Sequence, residues 1–417
     1  MSIQSAVSLL RSKNNSIIFS LFVLTFVGLF FSRFLLSVSM ISMFVYALLQ
    51  EDLGKTLRQF IKTPAFSLLT VLFFVSLLSY FNTENTDYFL TRIRLKLPFL
   101  VLPFAFFSMK QFSEDLFFKI IYFFFALVSI ICIVLLVIYL FDFDYYNKIY
   151  GAGRIIPTPI QHIRFSLLIC VAISSGVYLL FNNYRLKFRW ERSVLTWGIG
   201  FLFIFLHVLA VRSGLMAIYG VLIYTAVFYL VKKKDFVTGL FILLVLPAFA
   251  LLAITFIPTI KNKIGYTKYS LEKLAKMEDI RDLSDSRRIG SIYAGLDLGK
   301  KNPVLGVGLG DIKDDTNSYL TEHYPGIKDL DLLPHNQFVF YFAVSGFLGL
   351  IAFVICAFVP GFYYSSYANY FFMSITIIYF TSFLVEHTIE SQLGTASYLL
   401  FLLLSLTYLR TKSAADA

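Results

Sequence analysis

Long apolar runs recur from one end of this chain to the other, and no water-soluble fold of its 417 residues has an interior large enough to hide them. Hydrophobic residues make up 58% of the chain and charged residues 15%, with a mean hydropathy of +0.76, so lipid must be the solvent for much of the surface. A helix needs about 20 apolar residues to cross the hydrocarbon core, somewhat fewer where protein lines it. By that rule the sequence predicts about twelve spans, near 16–32, 34–50, 65–81, 97–109, 116–141, 165–182, 194–211, 214–231, 236–259, 337–359, 369–386 and 395–410. The expected fold is therefore an all-α polytopic membrane protein. Residues 1–259 carry spans one to nine, 260–336 form one large, mostly helical loop, and 337–417 carry spans ten to twelve with a tail. The first run follows Arg11 and Lys13 but lacks a small-residue cleavage site, so it reads as a span and not a signal peptide.

The net charge of +11 sits in short clusters between apolar runs and not on one soluble face, which argues against nucleic acid as a partner. Such clusters orient a membrane protein, because positive short loops stay cytoplasmic. Lys55, Arg58 and Lys62, then Arg185 to Arg192, then Lys232 to Lys234, then Arg410 and Lys412 all fall on one side, with both chain ends. Arg92, Arg94 and Lys96 fall on the other and oppose the bias. The assignment sets the 260–336 loop on the far side of the membrane from both chain ends.

Loops of that length are functional or disordered. This one has helical spacing after Ser270 and again after Ser284 and Asp285, the second stripe stopped by Asn302-Pro303 and followed by the turn-rich GVGLGD of Gly306 to Asp311. GVGLG lacks the spacing of a dinucleotide fold, and no phosphate loop is present. Cys132, Cys170 and Cys356 lie inside apolar runs and read as buried small residues; no metal or cofactor is expected. Asp142 and Asp144 read as a solvated loop end and His207 as a packing histidine.

At the outer ends of the spans the sequence gathers Arg154, His162, Arg164, Arg212, Arg287, Arg288 and His335. Ionisable groups at the hydrocarbon boundary are costly, and arginine matches phosphate with a bidentate fork. A phosphate-bearing lipid or sugar is the ligand these residues suit. Arg212 stands between two spans, with Ser213 and Gly214 beside it to allow close approach. Arg287 and Arg288 stand at a helix start, where the dipole favours anions, so a bound anion between them and the helix end would explain them. His335 precedes a span in LLPHNQFVFYF; a helix start and nearby arginines both disfavour imidazolium, leaving a neutral ring that can accept a proton. His162, Asn336, Tyr293 and Glu386 are candidate substrate contacts, and Glu386 could instead pair with an arginine.

The order of these motifs resembles the O-antigen ligase and polymerase superfamily of bacterial envelope glycosyltransferases. VRSG at Val211 to Gly214, DSRRIGSIYAGLDLGKKNPVLGVGLGD at Asp285 to Asp311 and PHN at Pro334 to Asn336 carry the resemblance, most like the ligases. It implies transfer of a glycan from an undecaprenyl-diphosphate donor to a hydroxyl of lipid A-core, inverting and without a metal. His335 then matches the histidine that activates the acceptor, and Arg212 and Arg288 match the arginines that hold the diphosphate. Arg287, doubled beside Arg288, and Arg154 and Arg164, placed by topology, join the diphosphate set. The alternative reading is an O-antigen or exopolysaccharide polymerase with the same donor. Protein O-glycosylation and transport are lesser ones, and a transporter should show related halves and polar groups at the midplane.

Overall fold

A computed structural model describes residues 14–50, 52–110, 112–146, 157–256, 258–276, 283–324 and 332–415, and among them every regular element is a helix. The first eight are α1 (Asn14–Phe31), α2 (Arg33–Leu48), α3 (Leu53–Ile61), α4 (Pro64–Leu78), α5 (Thr86–Arg94), α6 (Leu97–Ser108), α7 (Glu114–Phe141) and α8 (His162–Phe181). Then come α9 (Glu191–Leu209), α10 (Arg212–Phe228), α11 (Phe236–Phe256), α12 (Pro258–Ala275), α13 (Ser284–Lys301), α14 (Ile312–His323), α15 (Gln337–Phe358), α16 (Tyr370–Val385) and α17 (Gln392–Ala415).

Each of the twelve apolar segments is a helix, but not each is long enough to cross a bilayer. Among the described residues nine helices have the length and apolarity for it, or ten if α2 and α3, bent by 111°, make one broken span. The physical reason is length. α6 has 12 residues, and at 1.5 Å per residue it reaches only about 18 Å across a core of about 30 Å. It persists as a helix because it is buried: Phe99, Leu102 and Ala105 to Phe107 pack inside the bundle around Pro103. α16, with 16 residues, is similarly interior.

The core runs along α8 and α17, whose apolar side chains are covered nearly all round, Leu399 to Leu404 being at most 2% exposed. A helix that is hydrophobic on every side belongs in such a place or in lipid. α11 shows the second case, with Phe241 and Leu244 each 64% exposed.

The large loop does not stand apart from this bundle. α15 is broken at Ser345 and Gly346 (φ +60°), and the loop backbone fills the break: Val307 N–H donates to Ala343 O (2.9 Å), Gly308 N–H to Val344 O (3.0 Å) and Phe347 N–H to Pro303 O (2.8 Å). A Cβ at Gly306 would lie 2.3 Å from the Val344 carbonyl carbon, so glycine is required for that approach. On the other flank the Asp311 carboxylate accepts the N–H groups of Glu84 (2.8 Å) and Asn85 (2.7 Å) at the start of α5. The turn-rich GVGLGD is thus the seam that docks the loop onto the membrane helices.

Candidate functional site

Arg212 owes its position to a tight junction. Ala210 takes a left-handed conformation (φ +49°), Val211 is extended, and α10 starts at Arg212. Gly214 lets α10 meet α8, since a Cβ there would be 2.5 Å from Ser166 Cβ. The close approach expected of VRSG is therefore to the first turn of α8, which bears Arg164.

α13 begins at Ser284, so Ser284 and Asp285 lie inside its first turn, with Leu283 as the cap. Asp285 is buried and takes the Arg212 guanidinium in a two-pronged ion pair, one prong Nη1 to Oδ2 at 2.9 Å; Nη1 also donates to Thr267 Oγ1 at 2.9 Å. A cation at one helix start is thereby offset by an anion at another.

Helical spacing sorts the rest of α13. Arg288, Ser291 and Gly295 share one face, and a Cβ at Gly295 would be 2.7 Å from Pro334 Cγ, so this face receives the 334–336 segment. Tyr293 is on the opposite face with Gly290, which meets Leu320 and Tyr324, and is 52% exposed. The structure does not bring Tyr293 to the other site residues.

Ser291 fixes the protonation of His335. Its hydroxyl donates to Arg288 O (2.7 Å), which uses its single proton, and its oxygen accepts the backbone N–H of His335 (3.2 Å). The remaining contact, with His335 Nδ1 at 3.2 Å, then requires Nδ1 to be the donor. By this hydrogen-bond assignment the lone pair is on Nε2. Burial first, and Arg288 next, with Arg287 and Arg164 adding and a hydrogen bond to the Leu333 carbonyl opposing, pushes His335 down to about 3, so the ring is neutral.

Beyond α16 the chain turns out of the helix at Glu386. This carboxyl is buried, lies 2.9 Å from Arg288 Nη2 through Oε1, and forms no well-directed hydrogen bond there, so the pair is held by charge more than by geometry. Burial raises its pKa, opposed by Arg288, Arg164 and Arg212. His387 follows, with its ring centroid 4.7 Å from that of His335 in an edge-to-face contact and its buried Nδ1 without a hydrogen-bond partner. Burial, then the neighbouring His335, holds His387 well below the usual imidazole range.

Arg164 is at the third position of α8 and acts electrostatically on both His335 and Glu386; its Nε is buried without a hydrogen-bond partner, as is Nε of Arg287. Among the described residues, Arg164, Arg212, Arg287 and Arg288 outnumber the carboxylates Asp285 and Glu386 around two neutral histidines. Arg164, Arg212 and Arg288 lie in the first two turns of α8, α10 and α13, and His335 stands just before α15. His162 opens α8 about 200° around the helix from Arg164 and does not share its side. Asn336 caps α15, accepting from Phe338 N–H and Val339 N–H and donating to Leu384 O (2.9 Å), so its amide is engaged in holding the site together. Arg154 lies outside the described residues. His207 bridges Phe203 O (2.8 Å) and Tyr219 Oη (3.1 Å) as a packing residue. The three cysteines are buried and unpaired, and Asp142 and Asp144 are exposed.

His335, Glu386 and His387 each offer an atom within 4.8 Å of the others, a spacing that a cation could use. The surrounding charge opposes it: a metal would have to displace Arg288 from Glu386 and sit in the field of Arg164 and Arg212. The donor set favours an anion beside a neutral base.

Residues 197–354 match the family model described as O-antigen ligase, and they include Arg212, Arg287, Arg288, Ser291 and His335. Over this region, somewhat more than a third of the chain, the sequence is similar to the O-antigen ligase superfamily. Members are membrane glycosyltransferase-like enzymes, and the family implies a lipid-linked glycan as substrate, which agrees with the several apolar helices long enough to cross a membrane. No curated protein matches the chain. Arg164, Glu386 and His387 stand outside the matched stretch yet surround the same point. Sequence reasoning missed His387, Ser291 and the pairing role of Asp285; the signal was the pentad Glu-His-Thr-Ile-Glu at Glu386 and the DSRR that precedes Ser291.

Proposed function

We propose that this protein is a ligase-type glycosyltransferase that moves a glycan from undecaprenyl-diphosphate to a hydroxyl of lipid A-core, at a site facing the periplasm of the inner membrane. The observation that carries the reading is the neutral His335, with Nε2 as its free lone pair, set among arginines that exceed their carboxylate partners. The acceptor oxygen attacks the anomeric carbon, its proton passes to Nε2, and the bond from that carbon to the diphosphate oxygen breaks. Arg212, Arg287, Arg288 and Arg164 stabilise the charge that develops on the leaving diphosphate. A single displacement inverts the anomeric centre and needs no metal.

The low basicity of His335 becomes part of the mechanism. Burial and three arginine charges depress it; a bound diphosphate neutralises those charges, so the base strengthens when the donor is in place. A cavity of about 400 Å³ beside Arg212, walled by Ala210, Leu215, Ile260, Ile264 and Leu271, offers an apolar berth for the first units of a prenyl chain.

His335→Ala should lower transfer about 10²- to 10⁴-fold while membrane insertion and protein amount stay as in the parent. Wild-type transfer in that variant would remove the base from the mechanism. In a deletion strain, loss of capped lipopolysaccharide with retained lipid-linked polymer fits a ligase, and lipopolysaccharide with a single repeat would transfer the proposal to a polymerase.

A further inference from the structure

A second cavity, of about 520 Å³, opens where α1 turns into α2 and reaches the start of α8 and the 390–393 segment. It lies within the size range of small-ligand sites. Arg33, Arg92 and Arg164 all line it, while Arg212, Arg288 and His335 do not. Its one lining carboxylate, Glu390, is already occupied: Oε2 takes Arg92 Nη2 (2.9 Å), and Oε1 takes the Lys96 ammonium and Gln337 Nε2 (2.9 Å). Arg92 is 8% exposed, and its Nε, like that of Arg164, is buried with no hydrogen-bond partner. Unsatisfied buried guanidinium groups are costly unless a ligand completes them.

We infer that this cavity is a second phosphate site, distinct from the one that holds the donor diphosphate. The ligand class follows from counting donors. One carboxylate offers two oxygens, which a single arginine fork fills, whereas a phosphate offers three or more acceptors and suits several forks at once. The donor's diphosphate is assigned chiefly to Arg212, Arg287 and Arg288, none of which lines this cavity, so this phosphate comes from another molecule, either a phosphorylated sugar of the acceptor or a phospholipid headgroup. The inference rests on the glycosyl-transfer reading only in naming the acceptor as one of these sources. Arg164, acting on Glu386 and His335 while lining this cavity, stands at the boundary between the two sites.

The test is calorimetric titration of the full-length protein in phosphate-free detergent, with inorganic phosphate and glucose 6-phosphate as probes and glucose as control. Glucose 6-phosphate should bind and glucose should not. Arg33→Gln, at an exposed position whose loss leaves the fold alone, should weaken glucose 6-phosphate at least tenfold, and Arg33→Lys should recover part of it. Arg212→Gln should leave that binding within twofold. Repeating the titration in nanodiscs of phosphatidylglycerol separates the sources: competition dependent on Arg33 supports a headgroup in the site, and undiminished sugar-phosphate binding supports the acceptor. Unchanged binding in Arg33→Gln, or equal losses in Arg33→Gln and Arg212→Gln, would overturn a separate site. Because no donor is present, failure here is independent of whether His335 transfers a glycan.

Discussion

Glu386 and Glu390 are four residues apart, equally buried, and surrounded by cations, yet they live in opposite circumstances. Glu390 is saturated: Arg92, Lys96 and Gln337 fill its oxygens, Lys96 also reaches Ile389 O (3.2 Å), and Gln337 Oε1 closes the ring by accepting Ile389 N–H (3.1 Å). Glu386 has one off-axis arginine, and the His387 that follows it keeps a buried Nδ1 without a hydrogen-bond partner. A closed network is the signature of a fixed structural joint, and an open one of a place that exchanges partners. The joint ties α5 and α6 to the start of α15; the open site sits immediately beside it, where a rigid frame is most useful.

The sharpest way to break this contrast is to remove each carboxylate in turn. Glu390→Ala strands the fully buried Lys96 and most of Arg92, and such an uncompensated charge costs about 3–5 kcal/mol. The expected result is a large fall in folded protein by detergent size-exclusion and in unfolding temperature. Glu386→Gln, by contrast, should fold normally and lose transfer, since it frees Arg288 to move. If the two variants fall together in stability, the distinction between joint and site is wrong.

A smaller effect tests the assigned tautomer. Ser291→Ala removes the oxygen that accepts Nδ1–H of His335 and so frees the ring to turn or to carry its proton on Nε2. Supporting contacts of this kind are typically worth about 10- to 100-fold in activity. Transfer should fall by that amount with little change in unfolding temperature, and Ser291→Thr should restore part of it. An unaffected rate would return the tautomer to an open question.

How far the sequence reached can be read from these same residues. Hydrophobic runs locate all twelve apolar helices, because period and length are local properties. They do not settle the number of spans, nine or ten by length and apolarity among the described residues, because whether a 12-residue helix such as α6 crosses a bilayer or is merely buried depends on neighbours distant in the chain. Arg212, Arg288, Glu386 and His335 are visible as charges at helix boundaries, and the structure brings these four together. Tyr293, expected as a substrate contact, lies on the face of α13 opposite Arg288 and Ser291 and is 52% exposed. The most instructive residues are Arg92 and Lys96, which the charge bias marks as an exception. Their positive charge is met within the fold by Glu390, nearly 300 positions later, so they are not free to obey a rule about loops in water.

The smallest predicted effect concerns pH. His335 is depressed from an ordinary 6.5 to about 3, and His387 is lowered in the same direction, so between those limits the unfolded chain binds more protons than the folded one. Stability from these rings is therefore fully present above about 6.5 and is lost progressively as the pH falls toward 3. Thermal unfolding in detergent should show a lower midpoint at pH 5 than at pH 7, and His335→Asn should flatten that slope. Glu390→Gln should not flatten it, because the saturated joint contains no histidine. A slope unchanged in His335→Asn would mean that the open site does not keep its ring neutral, and the electrostatic difference between the two glutamates would lose its functional meaning.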